Sequence, residues 1–230
     1  MLNFDLFINA LIAGILLGGF YAAISVGLSL SFGLLDVVNI AHPAFILLGS
    51  YLAFYVNTHF GIDPVLAGLL FAIPLYFIGV TVYRVYYNSF EKTGAESLRG
   101  LVFFFGLFFL LEVVLIISFG ADYRFVQAPY IGKSISIGPL GIAYRLFVPF
   151  LVGGILSISL HLFLTKTFFG KAVMAVAQDS VAVQLMGANP IKIKTVAFGI
   201  SIATASIAGA LLIIIGPVEP TIGLEYIGRV

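Results

Sequence analysis

The chain has 230 residues, 61% of them hydrophobic and 9% charged, with a formal net charge of +1 and a mean hydropathy of +1.17. A soluble domain of this size needs far more polar surface, so the composition places the chain among integral membrane proteins. A near-neutral balance with no basic run argues against nucleic acid as a partner. Cysteine is absent, which removes disulfides, thiolate metal sites and cysteine nucleophiles.

A bilayer core takes about 20 apolar residues per helix. Six apolar segments are candidates, at about 6–33, 42–57, 64–83, 100–119, 146–165 and 195–216. The N-terminal MLNFDLF carries Asp5 where a signal peptide would be basic, so the first segment is expected to be a retained span. Continuous apolar runs, rather than ten-residue alternations, exclude a barrel. The expected fold is all-α, a polytopic transmembrane helix bundle forming one domain over 1–230. Loops 84–99 and 166–194 share one side and hold seven Lys/Arg, namely Arg84, Lys92, Arg99, Lys166, Lys171, Lys192 and Lys194. The 120–145 loop, on the other side, has three: Arg124, Lys133 and Arg145. The positive-inside rule puts the first two loops in the cytoplasm and the N-terminus outside, with Arg229 narrowing the difference.

Within the first span Gly14 and Gly18 form a GxxxG, and in the last Ala197, Ser201, Ala205 and Gly209 form a small-residue stripe. Such stripes let helices approach closely in lipid, either inside one bundle or at a dimer seam. The first segment, about 28 residues long, exceeds one perpendicular span. A break near 33–43 resolves the excess, with a new helix starting at Pro43, since proline suits the first helical position. Broken backbone at membrane depth needs cover from protein or a water-filled cavity. Asn39 and His42 therefore either satisfy backbone groups at the break or line a translocation path. Glu112 stands about two-thirds along the fourth span, where a carboxylate costs about 2.5–3.5 kcal/mol or more. It is either a buried acid holding two helices together or part of a proton or substrate route. Asp122 and Arg124, in the loop that follows, are expected to be solvated.

Gly170–Pro190 is the longest stretch of the second half that sits poorly in lipid. It holds a short helix at about 180–186, with Asp179 as N-cap and Gly187, then Pro190, as the stop. On one continuous wheel Met174, Ala177, Val181 and Leu185 share a face, with Ala182 and Met186 on its shoulder and Val183 opposite. Nearby GANPIK lacks the second glycine and the lysine-hydroxyl pair of a P-loop, so the chain itself is not expected to bind ATP. HExxH, GxSxG and metal-ligand histidine spacing are all missing, and no catalytic, cofactor or metal residues are assigned.

Three stretches resemble the permease subunits of branched-chain (hydrophobic) amino acid ABC importers. Gly19–Tyr51 carries a glycine-aromatic start, N-x-A-H at Asn39–His42 and L-G-x-Y at Leu48–Tyr51, with Pro43 where members more commonly have glycine. Gly106–Pro129 resembles the family's span with a polar residue at Glu112, followed by F-G-x-D. Gly170–Gly209 is similar to the cytoplasmic loop and the span after it. The resemblance implies a transport subunit, not an enzyme, in a prokaryotic inner membrane. It implies a second permease subunit, two cytoplasmic P-loop ATPases that use the ATP, and an extracytoplasmic substrate-binding protein. It further implies that Gln178, Asp179, Val181, Leu185, Met186 and Gly187 couple to the ATPase, while Asn39, His42 and Glu112 remain candidates for the path. Members continue beyond Val230 with further spans, so a C-terminal truncation is expected. The substrate is expected to be a hydrophobic amino acid or a small amide. The alternatives are an ion-coupled secondary transporter using Glu112, although the two halves show no convincing repeat, and a non-transporting membrane scaffold.

Overall fold

The computed structural model describes residues 4–93, 96–137 and 140–223; Arg229 of the charge count lies outside them. Helix α1 (Phe4–Leu28) runs on into a π-helical turn (Ser29–Leu34), and α2 (His42–Phe60), α3 (Pro64–Ser89) and α4 (Glu96–Phe119) follow. A two-stranded hairpin of β1 (Ser134–Ile137) and β2 (Leu140–Ala143) leads into α5 (Tyr144–Lys166). Then come α6 (Phe168–Gln178), α7 (Ser180–Leu185) and the long α8 (Pro190–Ile215). The fold is an all-α polytopic bundle.

Helices α1, α3, α4, α5 and α8 are long and apolar enough to cross a membrane. The remaining expected span is α2, 19 residues long, whose His42, Asn57, Thr58 and His59 lower its hydropathy. The boundaries shift where local chemistry outweighs apolar content. Asp63 accepts from the Val65 amide at 2.9 Å and Pro64 opens α3, which runs on through Tyr83 and Arg84 to Ser89. Asn189 accepts from the Lys192 amide at 3.2 Å and Pro190 opens α8 five residues before the expected start at 195. Pro190 thus begins a helix; the stop of the preceding one belongs to Gly187.

Helix α8 sits at the centre, buried along most of its length against α1, α2, α3 and α5. Its small side chains make this possible. A Cβ at Gly209 would strike the Ile46 carbonyl and fall 2.7 Å from the Ser50 amide, while one at Gly49 would fall 2.8 Å from Ser206 Cα. Serine hydroxyls then tie the helices to each other's backbone. Ser50 donates to the Gly209 carbonyl at 2.7 Å, Ser206 to Gly68 at 2.9 Å and Ser201 to Gly27 at 2.6 Å. The stripe Ala197–Ser201–Ala205–Gly209 is consumed inside the bundle, where close approach and buried hydrogen bonds replace the hydrophobic drive that lipid does not supply. Gly14 and Gly18 differ: a Cβ at either meets nothing within 4 Å, and both face outward.

The 120–137 segment is more ordered than a solvated loop. Asn57 holds it to α2, its amide donating to the Ile62 and Gln127 carbonyls at 2.9 Å each and its oxygen accepting from the Gln127 amide at 3.0 Å. Asp122 is exposed, but Arg124 is not simply solvated. Its backbone pairs with Val218, its guanidinium donates to the Phe119 carbonyl at the end of α4, and it lies 5.6 Å from the Phe54 ring centroid. A cation there meets the unsatisfied carbonyls and negative end of the helix. Burial pushes the Tyr130 phenol above the ordinary tyrosine range, and the nearby Asp63 acts in the same direction.

Candidate functional site

The 166–194 region is three helix starts in close succession rather than a loop. Thr167 ends α5 and caps α6, its hydroxyl accepting from the Gly170 amide at 2.9 Å. Gly170 lets the two helices turn so tightly that a Cβ there would strike the Phe163 carbonyl and lie 2.5 Å from Leu164 Cα. Helix α6 buries Val173 and Val176 and ends at Asp179, whose φ of −156° and ψ of 100° break the helix. The single wheel from Met174 to Met186 is therefore corrected: Met174 and Ala177 belong to α6, and Val181, Leu185 and Met186 to α7 and its C-cap.

Asp179 caps α7, its Oδ1 accepting from the Val181 and Ala182 amides at 2.9 Å each. At the other end Gly187 has φ +85°, its amide donates to the Gln184 carbonyl at 3.0 Å and the Ala188 amide donates to Val183 at 3.2 Å. That 6→1 and 5→2 pair is a Schellman motif, and the left-handed residue it needs is why glycine stands there. One side chain, Val183, anchors α7 inward at 9% exposure, whereas Val181 is 64% exposed and Leu185 and Met186 85% each. Gln178, Asp179 and Gly187 are exposed as well. Five of the six residues singled out for coupling thus lie on one short, doubly capped projection that presents an apolar tip, and Gln178 ends α6 just before it.

Sequence reasoning missed what stands behind that projection. Glu91, just past the end of α3, accepts from Tyr83 Oη at 2.6 Å through Oε2 and from Lys194 Nζ at 2.7 Å through Oε1. The Lys194–Glu91 pair is half-buried, at 19% and 12% side-chain exposure. It borders a cavity of about 630 Å³, which Tyr87 and Lys92 line together with Ser180, Gln184 and Asn189. Glu91 and Lys194 are 103 residues apart, and no local spacing signals the pairing.

At the α1–α2 break, Leu35, Val37, Asn39 and Ala41 are buried while Asp36 and Val38 are exposed. Asp36 adopts φ +57°, a conformation aspartate tolerates better than most residues. Asn39 and His42 come together here, 2% and 1% exposed; the Asn39 side-chain amide has no hydrogen-bond partner among the described residues, while the His42 ring lies against the backbone of Ile24. The His42 ring packs on Gly27, where a Cβ would fall 2.6 Å from Cε1, beside Thr204 of α8. At the break the Val37 amide donates to the Ser31 carbonyl at 3.1 Å and the His42 amide to Asn39 at 3.2 Å. Glu112 stands apart on α4, which packs against α2; its Oε2 is buried without a partner among the described residues.

Residues 10–227 match the family described as branched-chain amino acid transport system / permease component. The chain is 27% identical to the high-affinity branched-chain amino acid transport system permease protein BraD of Pseudomonas aeruginosa, over 94% of this chain and 74% of that protein. It is 27% identical to the corresponding permease protein LivH of Escherichia coli, over 96% of this chain and 75% of the other. To the probable branched-chain amino acid transport permease protein LivH of Methanocaldococcus jannaschii it is 25% identical, over 87% and 64%. No solved structure matches the chain.

Proposed function

Because the chain belongs to the permease component family of branched-chain amino acid transport systems, we propose that it is the membrane-spanning subunit of an ATP-driven importer. Its cargo in this reading is a branched-chain or other hydrophobic amino acid, or a related small amide. A second permease subunit completes the path, an extracytoplasmic binding protein delivers the substrate, and two separate P-loop ATPases on the cytoplasmic side supply the work. The permease then alternates between inward- and outward-open states, biased by partners that bind one state better than the other.

The observation that carries this reading is the α7 projection. A six-residue helix held by two caps and tipped with exposed Leu185 and Met186 suits contact with another protein better than contact with water. Only Met186–Asn189 separate it from Pro190, the first residue of the central helix α8, so a push on α7 reaches the middle of the bundle directly. Asn39 and His42 are buried polar residues, and the His42 ring lies beside Thr204 of α8; we assign both, with Glu112, as candidates for lining the path in its open form.

Because the chain has no cysteine, Leu185→Cys introduces a unique thiol. In inverted membrane vesicles containing the full transporter, a short thiol cross-linker is expected to join Leu185→Cys to the ATPase subunit. A control thiol at Phe125, exposed at the opposite end, is expected not to cross-link. Equal labelling of both positions, or none at 185, would count against the assignment.

A further inference from the structure

We infer that Glu91 and Lys194 are positioning residues that make α3 move together with α8 when α7 is displaced. The inference rests on the coupling role proposed for α7 and extends it to the α3–α4 connection, which the family resemblance does not touch.

Helix α8 begins with Lys192 and Lys194 and has no acidic residue in its first turn, an arrangement the helix dipole disfavours at the positive end. Lys194 is nonetheless held there, half-buried, by a carboxylate from outside the helix. Glu91 is committed through both oxygens, one to Lys194 and one to Tyr83 of α3. Tyr83 is itself fully buried against Phe198 of α8, with ring centroids 5.6 Å apart. The end of α3 is thus tied to the first turns of α8 twice, once by charge and once by aromatic packing. Ser180 and Gln184 of α7 line the same cavity as both members of the ion pair. Removing one member leaves a half-buried charge beside that cavity, where water enters and the two helices lose a fixed register. Displacement of α7 would then tilt the start of α8 without carrying α3 along.

The test uses the complete transporter in proteoliposomes and reads substrate imported per ATP hydrolysed. Glu91→Gln and Lys194→Gln are each expected to lower that ratio by about fivefold or more, the span of a modest coupling energy, while ATP hydrolysis persists. Tyr83→Phe, which keeps the ion pair, is expected to lower it less. The exchange Glu91→Lys with Lys194→Glu restores the pair with reversed polarity and is expected to recover most of the ratio, which a loss of folding would not do. An unchanged ratio in both single variants, or a reversed pair no better than either of them, overturns the inference. If wild-type import proceeds without any ATPase subunit, the coupling reading itself fails, and the two failures are thereby distinguished.

Discussion

Replacing Asp179 by alanine removes the only side-chain cap at the start of α7. Its Oδ1 accepts two amides at 2.9 Å, those of Val181 and Ala182, and losing such a cap costs about 1 kcal/mol, or roughly fivefold in a local equilibrium. Six residues are far below the roughly 12–15 at which isolated helices become marginal in water, so α7 depends on its two caps and on the burial of Val183. Hydrogen exchange followed by mass spectrometry reads this directly in the Ser180–Asn189 peptide of the purified protein. The Met186, Gly187 and Ala188 amides, which bond within α7 and its Schellman turn, should exchange about fivefold faster in Asp179→Ala, with core peptides of α8 unaffected. Asp179→Asn caps about as well as aspartate and should exchange like wild type. If the alanine variant exchanges normally, or the asparagine variant as fast as alanine, the capping argument is wrong.

Gly209→Ala forces a methyl into the α2–α8 contact at the Ile46 carbonyl and should destabilise the bundle by about 1–3 kcal/mol, seen as a lower melting temperature in detergent. Gly14→Ala, with open space around it, should not. Asn57→Ala deletes the two hydrogen bonds that hold Gln127 of the 120–137 segment and a third to Ile62, and proteases should nick that segment faster while the helices stay intact. Glu112→Gln keeps the shape of a side chain that makes no ion pair among the described residues, and folding and import should both survive. Import that collapses with folding intact would place the carboxylate in the transport chemistry.

The features legible in the sequence were those set within a few residues of one another. Asp179 and Gly187 specify where α7 starts and stops because capping and left-handed backbone are local chemistry. Pro43 marks the restart of the chain after an over-long first segment for the same reason. What escaped depends on contacts across the fold. Arg124 reads as a loop cation until the end of α4 and the ring of Phe54 come to meet it. Glu91 vanishes in a count of positive charges, although it is the carboxylate on which Tyr83 and Lys194 converge. The small-residue stripe of α8 was open between bundle packing and a dimer seam, because periodicity shows that a helix is approached closely but not by what. The break at Asp179 was readable as a cap, yet a single wheel drawn through it merged two helices into one face.

The central claim is that this permease is driven by a separate ATPase through α7, and the most direct measurement is import by the reconstituted transporter with Leu185→Glu or Met186→Glu. Both side chains are 85% exposed, so a charge there should leave folding and membrane insertion intact while ATP-dependent import and association with the ATPase are lost. Import that continues in these variants, or that runs on an ion gradient with no ATPase present, would contradict it.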